Sequence, residues 1–297
     1  MHKANGTYML GIDLGGTQVR AALVRRNGKT ASPMLSVPTD AFRLEQEDLY
    51  ARICSLVTDT KEWGAFQGIG IGSTGPVDPV NGRILDCNNL PSMQYFPLAA
   101  RLSDDFYVPV RLDGDARALL LAEALYGAGK GCKRVLGFTL GTGLGCAFIE
   151  QGRILQGSTA CAGEIWTSPY KHSIIEDYVS GPALSRHYAE LTGEELGGKD
   201  IARLAASGSA AARKVFRDFA KDLAYAMAWC TNLLDPDVIV LGGSVAQSAA
   251  LFLDDTKKHL QHFLCAATRQ HIRVCTGMLG AEAGVIGAAA LAWRKGA

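Results

Sequence analysis

The sequence predicts an α/β fold built as two related halves, on three observations. Short apolar strands alternate with amphipathic helices along the whole chain. The opening stretch "YMLGIDLGGTQVRAALV" nearly recurs at "RVLGFTLGTGLGCAFIEQG", where Leu136, Gly137, Leu140 and Gly141 stand as Leu10, Gly11, Leu14 and Gly15 stand in the first copy. The 297 residues are enough for two ordinary domains, each with its own core and a cleft between them.

The elements follow in order. Apolar runs at 8–14, 18–25 and 30–37, with a turn at Asn27-Gly28, predict an antiparallel meander. Leu49, Ile53, Leu56 and Val57 fall at helical spacing within 45–60, and "GIGIGSTGP" reads as a buried strand ending in a glycine turn. A short helix over 95–106 precedes the strand "VPVRLDGDA", which runs into the helix "ARALLLAEALYGAG". After the second meander come a loop-rich stretch at 157–175, a helix from about 182, a long apolar helix over 211–234, the strand "DVIVLGG" leading to a helix near Val245, and the Gly/Ala-rich helix "GAEAGVIGAAALAW". The pattern is weakest at Gly127–Gly131, "GAGKG", a candidate boundary.

Composition narrows the function classes. Lys+Arg 30 against Asp+Glu 29 leaves a net charge of +1, and no basic cluster is dense enough to track a nucleic-acid backbone. The eight cysteines form no CxxC pair and sit among apolar neighbours, as buried thiols in a reducing compartment do. "MHKANGTY" lacks the apolar core of a signal peptide, and no apolar run is long enough to span a membrane. The expectation is a cytoplasmic protein that engages neither nucleic acid nor membrane.

Three glycine clusters are candidate ligand sites. "GIGIGSTG" satisfies G-x-G-x-x-G, but Pro76 follows where a helix should open, which argues against a dinucleotide site. "DLGGT" and "LGTGLG" each put glycine amides and one hydroxyl, Thr17 or Thr142, at the end of a buried strand, where backbone N–H groups can cradle phosphate oxygens. Plain turn glycines requiring positive φ are the alternative for each. Gly242 and Gly243 in "VLGGSV" make a third cluster. Only the first copy carries an acid. A carboxylate beside a phosphate cradle repels the anion unless a cation lies between them, so Asp13 implies Mg²⁺ held through water, whereas Thr139 at the second copy does not.

Taken in order, "GIDLGGT", the Asp115 segment, "LGTGLGCAFIEQGRILQG", "AGEI", "EDYVSG", "LDPDVIVLGGSV" and "GAEAGVIGAAALA" resemble the ROK family of sugar kinases and repressors, within the actin/hexokinase/Hsp70 superfamily. The resemblance covers essentially the whole chain. It implies a two-lobed actin-like ATPase fold, with ribonuclease H-like domains of mixed sheets flanked by helices. The implied division is a small domain over 1–118, onto which the closing helix at about 284–297 packs back, and a large domain over 119–283. It further implies a homodimer that uses ATP and Mg²⁺ to phosphorylate a hexose or close derivative at the 6-hydroxyl.

Carried over by position, the resemblance assigns Asp13, Gly15, Gly16 and Thr17 to the first phosphate motif, Gly141, Thr142 and Gly143 to the second, and Gly242 and Gly243 to the adenosine motif. Asp115 falls on the catalytic base, which orients a sugar hydroxyl and accepts its proton; an N-cap for a helix starting at Ala116 is its alternative role. Glu164, Glu176 and Asn89, with Asp115, match residues that face the sugar.

The departures lie on the sugar side. Where the family reads E-N-D-A-N this chain has Asp113-Gly114-Asp115-Ala116-Arg117, and where it reads G-E-x-G-H the chain has Gly163-Glu164-Ile165-Trp166-Thr167. The C-x-C-G-x-x-G-C cluster is absent, so no structural zinc is expected, and neither His259 with His262 nor His172 replaces it. Trp166 reads as a core residue, or else as an apolar face for the sugar. Two rival readings are a sugar- or nucleotide-binding protein with altered catalysis and a ROK regulator without its DNA-binding domain, since the phosphate strand begins by Tyr8 with no helix-turn-helix before it.

Overall fold

A computed structural model describes residues 7–293, and contact density divides the chain into two compact units. Among the described residues the first comprises 7–130, 156–162 and 278–293; the second comprises 131–155 and 163–277.

In the first unit, β1 (Tyr8–Leu14), β2 (Gln18–Arg25) and β3 (Leu35–Pro38) form the antiparallel meander. The third strand is shorter than the sequence pattern suggests, because Thr30 contributes only an isolated bridge to Val24 and Pro33 breaks the ladder before Leu35. Helix α1 (Gln46–Thr60) follows, then β4 (Phe66–Ser73), the two-residue strands β5 (Val77–Asp78) and β6 (Arg83–Ile84), helix α2 (Leu98–Phe106), β7 (Val110–Gly114) and helix α3 (Asp115–Tyr126). The sheet order is β3-β2-β1-β4-β7, with β4 and β7 parallel to β1. Alternation along β1 explains its burial on both sides. Leu10, Ile12 and Leu14 pack with Leu49, Ile53 and Leu56 of α1, whereas Met9 belongs to a separate cluster on the opposite face.

The second unit repeats this plan. Strands β8 (Arg134–Leu140), β9 (Leu144–Glu150) and β10 (Arg153–Ile154) make the meander. Past the hairpin of β11 (Pro169–Tyr170) and β12 (Ser173–Ile174) come helices α4 (Gly181–Thr192), α5 (Gly198–Ala206) and α6 (Ala210–Leu234), then β13 (Val238–Gly242), α7 (Leu253–Phe263), α8 (Ala266–His271) and β14 (Arg273–Thr276). The order β10-β9-β8-β13-β14 matches the first sheet strand for strand. The helix expected near Val245 after β13 is a 3₁₀ helix over Val245–Leu251, broken at Ser248. Ser180 and Ser209 cap α4 and α6 by accepting the Ala183 and Ala212 amides.

The chain closes with α9 (Ala283–Ala292), which packs on β1, β4 and α3 of the first unit. Glycines make this approach possible: a Cβ on Gly70 would stand 1.7 Å from the Ala288 carbonyl, and one on Gly287 1.7 Å from that of Ala118. The chain passes between units at Lys130–Gly131, so α3 stays whole in the first unit instead of being cut at residue 118. Its packing against α9 is the reason.

Candidate functional site

The parallel register of the first sheet puts Asp13, Gly72 and Asp113 in one row at the carboxyl ends of β1, β4 and β7. Neighbouring strands stand about 4.8 Å apart, so the outer two residues of that row are roughly 10 Å from each other. Open α/β sheets bind ligands at this edge.

The turn after β1 is held by the Gly15 amide donating to the Gln18 carbonyl at 3.0 Å and the Thr39 hydroxyl donating to the Gly15 carbonyl at 2.7 Å, which leaves Thr17 exposed. Gly16 lies against Asn89, whose carbonyl a Cβ there would approach to 2.5 Å. The Asp13 carboxyl is 24% exposed, with Arg20 at 3.9 Å, and sits against Gly284 at the start of α9. Burial pushes its pKa up, opposed by the smaller pull of Arg20. A desolvated carboxylate beside a turn rich in amides suits a water-bridged divalent cation.

Asp115 is the first residue of α3, not its N-cap; Gly114 takes the cap position, and the Asp115 Oδ1 accepts the Ala116 amide at 2.6 Å. A carboxylate is favoured there by the helix dipole. The residues on either side, which differ from the family pattern, pair with each other: Arg117 Nε lies 2.8 Å from Asp113 Oδ1, and both side chains are buried.

In the second unit the β8–β9 turn closes with the Gly141 amide donating to the Gly143 carbonyl at 3.0 Å, and the Gly141 carbonyl accepts the Gly181 amide at 2.7 Å. The Leu144 amide donates to Glu176 Oε2 at 2.8 Å. Thr139 is registered opposite Gly242, and Gly243 sits against the Leu140 backbone with φ 87°. Gly141–Gly143, Glu176 and Gly242–Gly243 therefore form one cluster. Of Gly15, Gly16, Gly141, Gly143, Gly242 and Gly243, only Gly243 has the positive φ that a turn explanation requires; contact with neighbouring backbone or side chains accounts for Gly16 and Gly143.

Glu164 Oε2 accepts the Trp166 indole N–H at 2.7 Å, and Trp166 is 36% exposed. The expectation of a core tryptophan therefore fails: the indole is held by a polar neighbour at the surface. The β11–β12 hairpin that follows is pinned to α6 by Lys171 and Tyr170, which donate to the buried Asp222 at 2.6 Å and 2.9 Å. Among the described residues, no group of three or more His, Cys, Asp or Glu is placed to hold a metal ion.

Residue patterns did not single out Glu123, which is 1% exposed. Its carboxylate accepts the amides of Ala128, Met278 and Leu279 at 2.9, 3.0 and 2.8 Å, and so ties both ends of the first unit's chain together where the chain leaves and re-enters it. A lone glutamate in an apolar helical run, "LLLAEALY", was the available signal.

The ROK family pattern matches residues 9–295. The chain belongs to the ROK family. Its relatives include a glucokinase of Halalkalibacterium halodurans, 28% identical over 94% of this chain and 93% of that one. Another is an N-acetyl-D-glucosamine kinase of Photobacterium profundum, 29% identical over 96% and 99%. Among solved structures, a ROK family glucokinase from Streptomyces griseus in complex with glucose and AMPPNP is similar with a TM-score of 0.84 and 28% identity, covering 97% of this chain and 100% of that one. The ROK assignment makes the two matched sheets the two halves of an actin-like ATPase fold. Within the ROK frame, the altered residues Asp113, Gly114, Arg117, Trp166 and Thr167 flank the expected sugar residues, while Gly15–Thr17, Gly141–Gly143 and Gly242–Gly243 keep the pattern.

Proposed function

We propose that this ROK protein is a sugar kinase that transfers the terminal phosphoryl group of ATP to a hydroxyl of a hexose or hexose derivative, the primary 6-hydroxyl being the acceptor. The carrying observation is the row Asp13–Gly72–Asp113, which sets Asp115 at the same sheet edge as the Gly15–Thr17 turn. The relatives' names, glucokinase and N-acetyl-D-glucosamine kinase, and the glucose and AMPPNP in a similar structure support the same reading.

Asp115 takes the proton of the attacking hydroxyl, so the sugar oxygen forms its bond to phosphorus while ADP departs. The amides of Gly15–Thr17 and Gly141–Gly143 hold phosphate oxygens, and Gly242–Gly243 lie on the adenosine side. Asn89 and Glu164 position sugar hydroxyls; Glu176 shares its carboxylate between the sugar side and the second phosphate turn. Asp13 is the residue that would hold Mg²⁺ through water, and that cation supplies charge neutralisation of the phosphates. No structural zinc is part of this reading.

A homodimer is supported by the exposed face of α6 and α7, where Tyr225, Trp229, Leu233 and Phe263 line up and Leu233 is 83% exposed. Neither a membrane nor nucleic acid is a proposed partner. A cytoplasmic site fits eight cysteines of which none is in a disulfide and, among the described residues, no helix long and apolar enough to cross a membrane.

The test is ADP release measured over a panel of hexoses, amino sugars and their N-acetyl derivatives. Turnover on one class establishes the kinase and its sugar. Tight sugar binding with no ADP release on any of them would instead favour the catalytically altered binding protein, which the changes at Gly114, Arg117 and Thr167 make the second reading.

A further inference from the structure

Asp113 and Arg117 stand two residues to either side of Asp115, and their side chains are 3% and 4% exposed. The Arg117 Nε is 2.8 Å from Asp113 Oδ1, but its N–H points at no acceptor, so the contact is ionic attraction without a hydrogen bond. Asp113 is otherwise satisfied: its Oδ1 accepts the Gly114 amide at 2.8 Å and its Oδ2 accepts Gln156 Nε2 at 3.2 Å. Arg117 Nη1 donates to the Ala160 carbonyl.

Two further observations give this arrangement a purpose. A Cβ on Gly114 would lie 3.3 Å from Arg117 Nε, so the chain has no side chain where the guanidinium packs. Ala160 has φ 59°, a left-handed conformation that is costly for a residue with a Cβ, and a half-buried charge-assisted hydrogen bond to its own carbonyl holds it there. Gln156 and Ala160 belong to the 156–162 segment, which packs with the first unit although the residues on both sides of it belong to the second.

We propose that Arg117 is a positioning residue for Asp115, fixing the first turn of α3 by its pairing with Asp113 and tethering the 156–162 segment to that turn through Ala160. This rests on the reading of Asp115 as the base. Removing one member of a buried ion pair leaves an uncompensated charge, so the test must separate charge from tether. Arg117→Lys keeps a cation beside Asp113 but lacks the planar fork that serves the carboxylate and the Ala160 carbonyl together.

For R117K the expected result is a melting temperature close to that of the parent, kcat at least tenfold lower and KM for ATP within twofold. The paired change Asp113→Asn with Arg117→Met removes both charges at once, and the same split between kcat and KM for ATP is expected. Retention of kcat within twofold in either protein overturns the proposal. So does a loss of kcat that only follows the folded fraction, or that KM for ATP accompanies in parallel. Asp115→Asn, made separately, reports on the base alone: full activity there removes that reading whatever the Arg117 variants do.

Discussion

The Leu144 amide donates to the Glu176 carboxylate at 2.8 Å, and the same oxygen lies 2.5 Å from where a Cβ of Gly143 would stand. A residue expected to face the sugar is therefore also the brace of the β8–β9 turn, the proposed second phosphate turn. Hydrogen bonds to charged groups contribute about 1.5–3 kcal/mol, so Glu176→Ala should raise KM for ATP by about tenfold or more. Glu176→Gln, whose amide oxygen still accepts, should raise it less. ATP titration at saturating sugar measures this, and an effect confined to KM for the sugar would leave the brace without a kinetic role.

Asp115→Asn preserves the shape and the helix-start position of Asp115 while removing the proton acceptor. General-base catalysis is worth about 10²–10⁴-fold, so kcat should fall within that range while thermal melting stays at the parent value. A variant with parental kcat would remove Asp115 from the chemistry.

Asp13 should show a conflict between stability and function. Burial raises its pKa in the folded chain, so the folded state binds its proton more tightly than the unfolded one. Its stabilising contribution is complete below the ordinary aspartate range, near pH ~4, and is lost as pH rises through the higher folded value. At neutral pH Asp13→Asn should therefore melt higher than the parent without ligands, with the difference closing as pH falls toward about 4. Mg²⁺ with an ATP analogue should stabilise the parent and not the variant. Melting curves across pH, with and without Mg²⁺, test both halves.

Gly70 and Gly287 mark where α9 and its neighbours touch backbone to backbone. Either residue changed to Ala would place a methyl 1.7 Å from a carbonyl oxygen. Overpacking of ordinary cores costs about 1–3 kcal/mol, and a clash with backbone belongs at or above the upper end. Chemical denaturation of Gly70→Ala should show this loss; a change under about 0.5 kcal/mol, the scale of an ordinary surface substitution, would mean α9 shifts freely.

Glu123→Gln would replace one carboxylate oxygen with an amide donor facing backbone N–H groups of Ala128, Met278 or Leu279. Losing an acceptor of buried donors costs about 1–3 kcal/mol per group, so a destabilisation of roughly 3 kcal/mol is expected from denaturant unfolding. Stability equal to the parent would show that solvent reaches those amides.

Sequence by itself determined the repeat, the two meanders, the glycine turns and the family. Periodicity and turn chemistry are local, and the recurrence of Leu10, Gly11, Leu14 and Gly15 at Leu136, Gly137, Leu140 and Gly141 needs no contact to be seen. The six-residue helix α8 and the four-residue strand β14 are too short to carry such a periodic pattern. Tertiary structure alone decided what the unusual residues touch. Gly114, Arg117 and Asp113 read as three separate departures until the backbone turns from β7 into α3 and makes them one buried pair. Glu123 became an anchor only when residues 278 and 279 returned from the far end of the chain, and Trp166 left the core once its indole found Glu164. The burial of a polar group depends on chain distant in sequence, as Met278 and Leu279 are from Glu123 and Ala160 is from Arg117, even where the partner itself, Glu164 or Asp113, is only two or four positions away.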